Sequence, residues 1–190
     1  MYSLLFILAV DWVMRSTLKG ENTGIRWTLI SNLEDLDYAD ALALLSHLET
    51  HMQSKTSKLQ SNASKIGLKI NVEKTEVMSI NTKHPPKIQL DGNNLMNTNS
   101  FTYLGSIVTN GGGAEEDINA RLGKTRGAFT RLKNIWKSKS INRKTKMRLY
   151  NSCVLPVLLY GAECWRTTKR DINKLPSFHN DCLRRILKIF

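Results

Sequence analysis

Between Leu33 and Leu45 the chain reads Leu-Glu-Asp-Leu-Asp-Tyr-Ala-Asp-Ala-Leu-Ala-Leu-Leu, so four acidic residues interrupt two short apolar runs. Carboxylates in such a setting need a reason, because burying them unpaired is costly. Leu33 to Tyr38 and Leu42 to Leu45 each have strand length, and the small Ala39-Asp40-Ala41 between them predicts a tight hairpin tip that lifts Asp40 out of the sheet. Asp35 and Asp37 share one face of the first strand under strict alternation and so cannot stand in for a tip residue. A carboxylate on a rigid tip is a hard oxygen ligand, and Mg²⁺ is typically held by one or two such groups together with substrate phosphates.

The surrounding sequence predicts small sheets with helices packed on them. Residues 2–16 read as one buried helix. Their apolar run lacks the basic flank of a signal peptide, and Asp11 arrives before a membrane span is complete. No other stretch is long and apolar enough to cross a bilayer. Gly24 to Ile30 predicts a strand entering the Asp40 hairpin. From Leu48 the period changes: Leu48, Met52, Leu59, Ala63 and Ile66 fall on one helical face, Lys55, Lys58 and Lys65 lie among the polar positions, and Gly67 closes the helix. Asp91-Gly92 marks a hairpin turn between Ile88-Gln89-Leu90 and Leu95. Phe101 to Val108 predicts a further strand, and Gly111-Gly112-Gly113 a flexible joint.

Tyr38-Ala39-Asp40-Ala41 followed by Leu42-Ala43-Leu44-Leu45-Ser46 resembles the Tyr-Ala-Asp-Asp box of reverse transcriptases of non-LTR, LINE-like retrotransposons, with Ala41 in place of the second Asp. Other segments resemble the same family in the same order. Ser3-Leu4-Leu5-Phe6 is similar to the helix after the template-gripping box. Gly67-Leu68-Lys69-Ile70-Asn71-Val72-Glu73-Lys74-Thr75 matches its Gly-Leu-x-Ile-Asn-x-x-Lys-Thr segment, Tyr103-Leu104-Gly105 its primer-grip core, and Leu159-Tyr160-Gly161-Ala162-Glu163-Cys164-Trp165 its thumb signature. Cys182 to Leu187 is similar to the next landmark.

The resemblance implies an α+β fold: a partial polymerase palm of antiparallel strands with packed helices, residues 1–113, followed by an all-helical, thumb-like subdomain, residues 114–190. It implies template-directed nucleotidyl transfer on an RNA template and DNA primer with deoxynucleoside triphosphates and Mg²⁺, with Asp40 as catalytic residue and metal ligand, Tyr38 beside it and Lys74 near the incoming phosphates. Without the family, a Lys in a strand-entry loop reads as solvent-facing. Tyr103, Leu104 and Gly105 would support the primer. The strand bearing the family's first catalytic Asp is missing, so Asp40 is the sole survivor of three expected carboxylates. Since two-metal chemistry needs all of them, this chain is expected to be incompetent alone.

Charge points to nucleic acid independently of the family. Residues 114–190 hold 18 Lys and Arg against 6 Asp and Glu, a surplus of 12, whereas residues 1–113 hold ten of each. Such a surface gains affinity for a polyanion by releasing counterions, and Arg121, Lys124, Arg131, Arg143 and Lys144 are its candidate contacts. The plain alternative is a solvated basic face. Predicted helices carry these residues: one from Ala114 with Ile118, Leu122, Thr125 and Phe129 inward, a second from Asn142 that Pro156 kinks or ends, and a third from Lys169 burying Ile172, Leu175, Phe178, Cys182 and Ile186. Cys153, Cys164 and Cys182 are an odd number without paired spacing, which predicts buried thiols in a reducing, intracellular setting, nuclear or cytoplasmic, with no disulfide partner. Three readings stay open: a reverse-transcriptase fragment, a non-catalytic nucleic-acid-binding module that keeps the basic helices, and a translated relic without function.

Overall fold

In a computed structural model, which describes residues 2–82 and 84–189, the chain divides into two compact units, 1–104 and 105–190. The division falls in the turn at Leu104-Gly105, ahead of the glycine run where the sequence places it.

The first unit is built on two helices. α1 (Tyr2–Leu18) packs on α2 (Glu49–Lys65) through Val10, Val13 and Met14 against Leu59 and Ala63, with Leu18, Leu44, Leu68 and Ile70 around them. A buried polar link crosses this contact: Asn62 donates to the Thr17 hydroxyl at 3.2 Å, and that hydroxyl donates to the Val13 carbonyl at 2.7 Å. Among the described residues, the buried side chains of α1 all lie from Val10 onward, on the face formed by Val10, Val13, Met14 and Thr17. Leu4, Leu5, Phe6, Ile7, Leu8 and Trp12 are all exposed, which corrects the expectation of a fully buried helix.

Between the helices lie β1 (Ile25–Arg26), β2 (Asn32–Leu33), β3 (Asp35–Tyr38) and β4 (Ala41–Leu44), paired antiparallel as β1 with β2 and β3 with β4. The strand expected over Gly24 to Ile30 is cut to two residues, because Trp27 to Ser31 close a tight loop: the amides of Trp27 and Thr28 both donate to the Ser31 carbonyl. After α2, Gly67 adopts φ 76°, the left-handed conformation that ends a helix without a Cβ penalty. A 3₁₀ turn, Val72–Lys74, leads into β5 (Glu76–Met78). β6 (Gln89–Leu90) and β7 (Asn93–Asn94) form the expected hairpin, with Asp91 and Gly92 both at positive φ. β8 (Met96–Thr98) pairs with β5, in parallel, and β9 (Ser100–Tyr103) completes the unit. Ile88, Leu90 and Leu95 form its second core, packed against Met52, Ile70, Val72 and Val77.

The second unit starts with β10 (Ser106–Thr109). The single strand expected over Phe101 to Val108 is therefore two, separated where Leu104 and Gly105 take φ of 48° and 83°. α3 (Glu115–Arg131), α4 (Lys133–Lys137) and α5 (Arg143–Leu149) follow, and α5 runs through a π-helical segment, Tyr150–Val154, into α6 (Leu155–Leu159). Pro156 thus neither ends nor simply kinks the helix: the wider π turn ahead of it accommodates a residue with no N–H to donate. α7 (Lys169–Leu187) opens with a capping box in which Thr168 and Asp171 satisfy each other's backbone amides. Phe129 and Trp136, stacked with centroids 5.2 Å apart, form the main core with Tyr150, Val154, Cys182 and Ile186. Ala114, Ile118, Leu122 and Leu158 form a second, against Leu175 and Phe178. The Ile172 side chain, placed inward by the sequence, lies outside the described residues.

Candidate functional site

The β3–β4 hairpin has the register Asp35 with Leu44, Leu36 with Ala43, Asp37 with Leu42 and Tyr38 with Ala41. The turn is therefore two residues, Ala39-Asp40, and Ala41 is the first residue of β4 rather than part of the tip. Ala39 bears the turn's strain at φ 56°, and Asp40 and Tyr38 are exposed beside it. Asp35 and Asp37 lie two residues apart on β3, the first half-buried and the second exposed. Burial holds the Asp35 carboxyl above its ordinary value, and the neighbouring charge of Asp37 adds to the effect. Tyr103 on β9 joins this pair: burial, then the charges of Asp37 and Asp35, raise its phenol. Lys74 is exposed in its 3₁₀ turn, whose start is capped by the Asn71 side chain accepting the Lys74 amide at 3.1 Å. The donor set at the tip does not fit a two-metal site. Asp40 supplies one carboxylate, and the position after it offers a methyl group. Among the described residues no group of three or more His, Cys, Asp or Glu could hold a metal ion.

The foot of the hairpin is anchored from α2. Lys55, expected among the polar positions of its helix, is wholly buried and donates to Glu34 and to the Leu45 carbonyl. Leu48, expected inward, is exposed. Position 55 falls between Met52 and Leu59 on the apolar stripe, and that spacing was the available signal.

The basic residues of the second unit fall into two classes. Lys124, Arg131, Arg143 and Lys144 are exposed. Arg121 is not: it is buried, it donates to the Gly105 carbonyl, its guanidinium lies 4.4 Å from the Tyr160 ring centroid, and its Nε is 3.7 Å from Asp117. Its place in the candidate interface is therefore withdrawn. Asp117 in turn accepts from the Ile107 amide at 3.0 Å and from the Trp165 indole at 2.8 Å. Tyr160, Gly161 and Trp165 thus do local structural work: one covers Arg121, one passes against Ser106, and one caps Asp117. Lys146 is likewise buried, donating to the carbonyls of Trp136 and Ser138 at 2.9 and 2.6 Å. Arg121 and Lys146 sit on the core stripes Ile118-Leu122-Thr125 and Tyr150-Val154, which accounts for their burial. Cys153 and Cys164 are exposed and only Cys182 is buried, against the expectation of three buried thiols.

A feature missed by counting whole subdomains is the run from Ile118 to Ala162, which holds eleven Lys or Arg and no Asp or Glu. Nine of the eleven are exposed, spread over α3, α4 and α5 and the loops between them. No described helix is long and apolar enough to cross a membrane.

Residues 128–160 match a family described as a domain of unknown function (DUF6451). The chain is also similar to a Caenorhabditis elegans protein named as uncharacterised and transposon-derived, with 27% identity over 162 residues, covering 83% of this chain and 58% of that protein. The chain thus matches less than two thirds of its relative's length. No solved structure matches it.

Proposed function

We propose that this chain is of transposon origin, derived from the palm and thumb portion of a non-LTR reverse transcriptase, and that it binds duplex nucleic acid without carrying out nucleotidyl transfer. The observation that carries this reading is the acid-free run of residues 118–162 with nine exposed cations. Lys and Arg on an unopposed surface bind phosphates by counterion release, which gives affinity with little sequence preference. The transposon-derived relative supports the origin. Loss of catalysis rests on the hairpin: one carboxylate at the turn leaves a two-metal centre short of ligands, and losing such a ligand removes several kcal/mol of transition-state stabilisation, with about 1.4 kcal/mol already tenfold in rate.

The test uses the full chain. Affinity for an RNA–DNA or DNA duplex of unrelated sequences should be equal within a few fold and should fall steeply with salt, while primer extension with Mg²⁺ or Mn²⁺ stays at background. Ala41→Asp alone should not create extension. Extension by the unmodified chain, abolished by Asp40→Ala, would overturn the catalytic half of the reading, and salt-independent or absent duplex binding would overturn the other.

A further inference from the structure

The acid-free run from Ile118 to Ala162 presents, besides its cations, one hydroxyl on a short loop. That loop, Ser138 to Asn142, joins α4 to α5, and both of its ends are fixed. The buried Lys146 ammonium donates to the Trp136 and Ser138 carbonyls at 2.9 and 2.6 Å, and the Asn142 side chain accepts the Thr145 amide at 2.7 Å. Between these ties Lys139, Ser140 and Ile141 lie outside any helix or strand, and Ser140 is exposed. Its hydroxyl oxygen lies 2.8 Å from that of Ser138, and its amide donates to the same Ser138 oxygen at 3.2 Å. Among the described serines and threonines of the run, Ser140 alone is exposed outside a helical segment. Ser138 is half-buried and Thr125 buried, while Thr130, Thr145 and Ser152 lie on helical segments, the Thr130 hydroxyl donating to the Arg126 carbonyl at 2.8 Å.

The flanks of Ser140 carry one sign of charge. Lys137 stands three residues before it, Lys139 one before, Arg143 three after and Lys144 four after, all of them exposed. A hydroxyl on such a segment can enter a kinase active site without breaking a helix, and an acidic substrate groove complements its flanks. We infer that Ser140 is a phosphorylation site for a serine/threonine kinase that selects basic flanks, and that the phosphate weakens duplex binding. In that step Ser140 Oγ bonds to the γ-phosphorus of ATP, the bond from that phosphorus to the bridging oxygen breaks, ADP leaves, and the hydroxyl proton passes to the kinase's base. The product places a charge of about −2 between the candidate contacts Arg131 and Arg143 in the chain, repelling nucleic-acid phosphates and neutralising cations that would meet them. The inference rests on the proposed duplex binding and adds its regulation.

The test incubates the full chain with Mg²⁺, ATP and a kinase of this class, maps the phosphate by mass spectrometry, and measures duplex affinity before and after, beside Ser140→Ala and Ser140→Glu. Ser140 should carry most of the phosphate, and Ser140→Ala should lose that share while binding duplex as the unmodified parent does. Cancelling two phosphate contacts should make the slope of log affinity against log salt shallower by about 1.8 and, at about 0.1 M salt, weaken binding on the order of tens of fold. Ser140→Glu, with a single charge, should give about half that change in slope, at the parent's melting temperature. Phosphate carried elsewhere while Ser140 stays unmodified, or a folded chain phosphorylated at Ser140 that binds duplex as before, would overturn the inference and leave the proposed function intact. An unmodified chain that does not bind duplex would instead overturn the proposed function, and this regulation with it.

Discussion

Lys55 Nζ lies 2.5 Å from Glu34 Oε2 and 2.6 Å from the Leu45 carbonyl oxygen. Glu34 precedes β3 and Leu45 follows β4, and the Leu45 amide donates to the Glu34 carbonyl at 2.8 Å. The other carboxylate oxygen of Glu34 accepts the Gly24 amide at 2.9 Å. One buried ammonium therefore ties α2 to the foot of the hairpin and to the chain entering β1.

Removing one partner of a buried pair leaves the other desolvated and unpaired. Lys55→Met is expected to destabilise the first unit by about 3 kcal/mol or more in urea denaturation, and Lys55→Met with Glu34→Gln should cost less than Lys55→Met alone. Amide exchange in β3 and β4 should accelerate in the single variant. Unchanged stability would show that the ammonium does not anchor the hairpin.

The same carboxylate sets an acid limit. Burial alone would raise Glu34, but the Lys55 ammonium and the Gly24 amide outweigh it and hold the group below its ordinary 4.5. The hydrogen bond from Lys58 lowers Glu21, against burial, and the Thr168 hydroxyl and amide lower Asp171. A depressed carboxyl contributes stability above its unfolded value and loses it as pH falls through the folded one. Unfolding free energy should therefore decline below about pH 4.5, and Lys55→Met should remove the Glu34 share of that decline. Asp35, raised, works in the opposite sense.

An alkaline limit comes from the second unit. Burial, with the nearby Cys182, pushes the Tyr150 phenol up to about 12, while its oxygen lies 2.8 Å from His179 Nδ1. Burial also pushes the Cys182 thiol to about 11. Groups raised by folding stabilise below their unfolded values, 10 and 9, and that contribution is lost as pH rises through the folded ones. Melting temperature should fall between about pH 9 and 12. Tyr150→Phe should cost about 1 kcal/mol at neutral pH and flatten the upper part of that fall. A Phe variant with an unaltered alkaline profile would contradict the assignment.

Gly161 offers a steric test of the Tyr160 turn. It has φ 74°, and a Cβ there would lie 2.7 Å from Ser106 Oγ, whereas Gly20, at φ 78°, has nothing within 4 Å. Gly161→Ala should therefore cost about 1 kcal/mol more than Gly20→Ala in thermal denaturation, since only the former adds a clash to the left-handed penalty. Equal costs would mean that Ser106 is not held against the turn.

Which of these relationships the sequence discloses depends on whether the signal is local. The hairpin at Asp40, the Asp91-Gly92 turn, the end of α2 at Gly67 and the start of α7 at Lys169 follow from short-range turn and cap chemistry. The strand over Gly24 to Ile30 was misread because a β-rich composition cannot reveal that Thr28 and Ser31 close a loop. The burial of Lys55, Arg121 and Lys146 eludes the sequence for one cause. Charge marks each as polar, although its helical position lies on an apolar stripe, and in each case a carbonyl or carboxylate supplied from outside its own helix offsets the burial. Asp117 lies in the first turn of α3, and its partners Ile107 and Trp165 come from outside the helix. Of the candidate site, the tip and the exposed cations were legible. The effect of the Asp35 and Asp37 charges on the Tyr103 phenol was not, because it acts between strands far apart in sequence.

In the proposed function, exposed cations bind phosphate while buried ones hold the fold. The most direct test of that division is the salt dependence of duplex affinity for the full chain and for the variant with Lys124, Arg131, Arg143 and Lys144 all changed to Ala. Each lost phosphate contact should make the slope of log affinity against log salt shallower by about 0.9, so the variant should bind more weakly at low salt with a clearly reduced slope and an unchanged melting temperature. An identical slope and affinity in the folded variant would contradict the claim that this surface is a nucleic-acid interface.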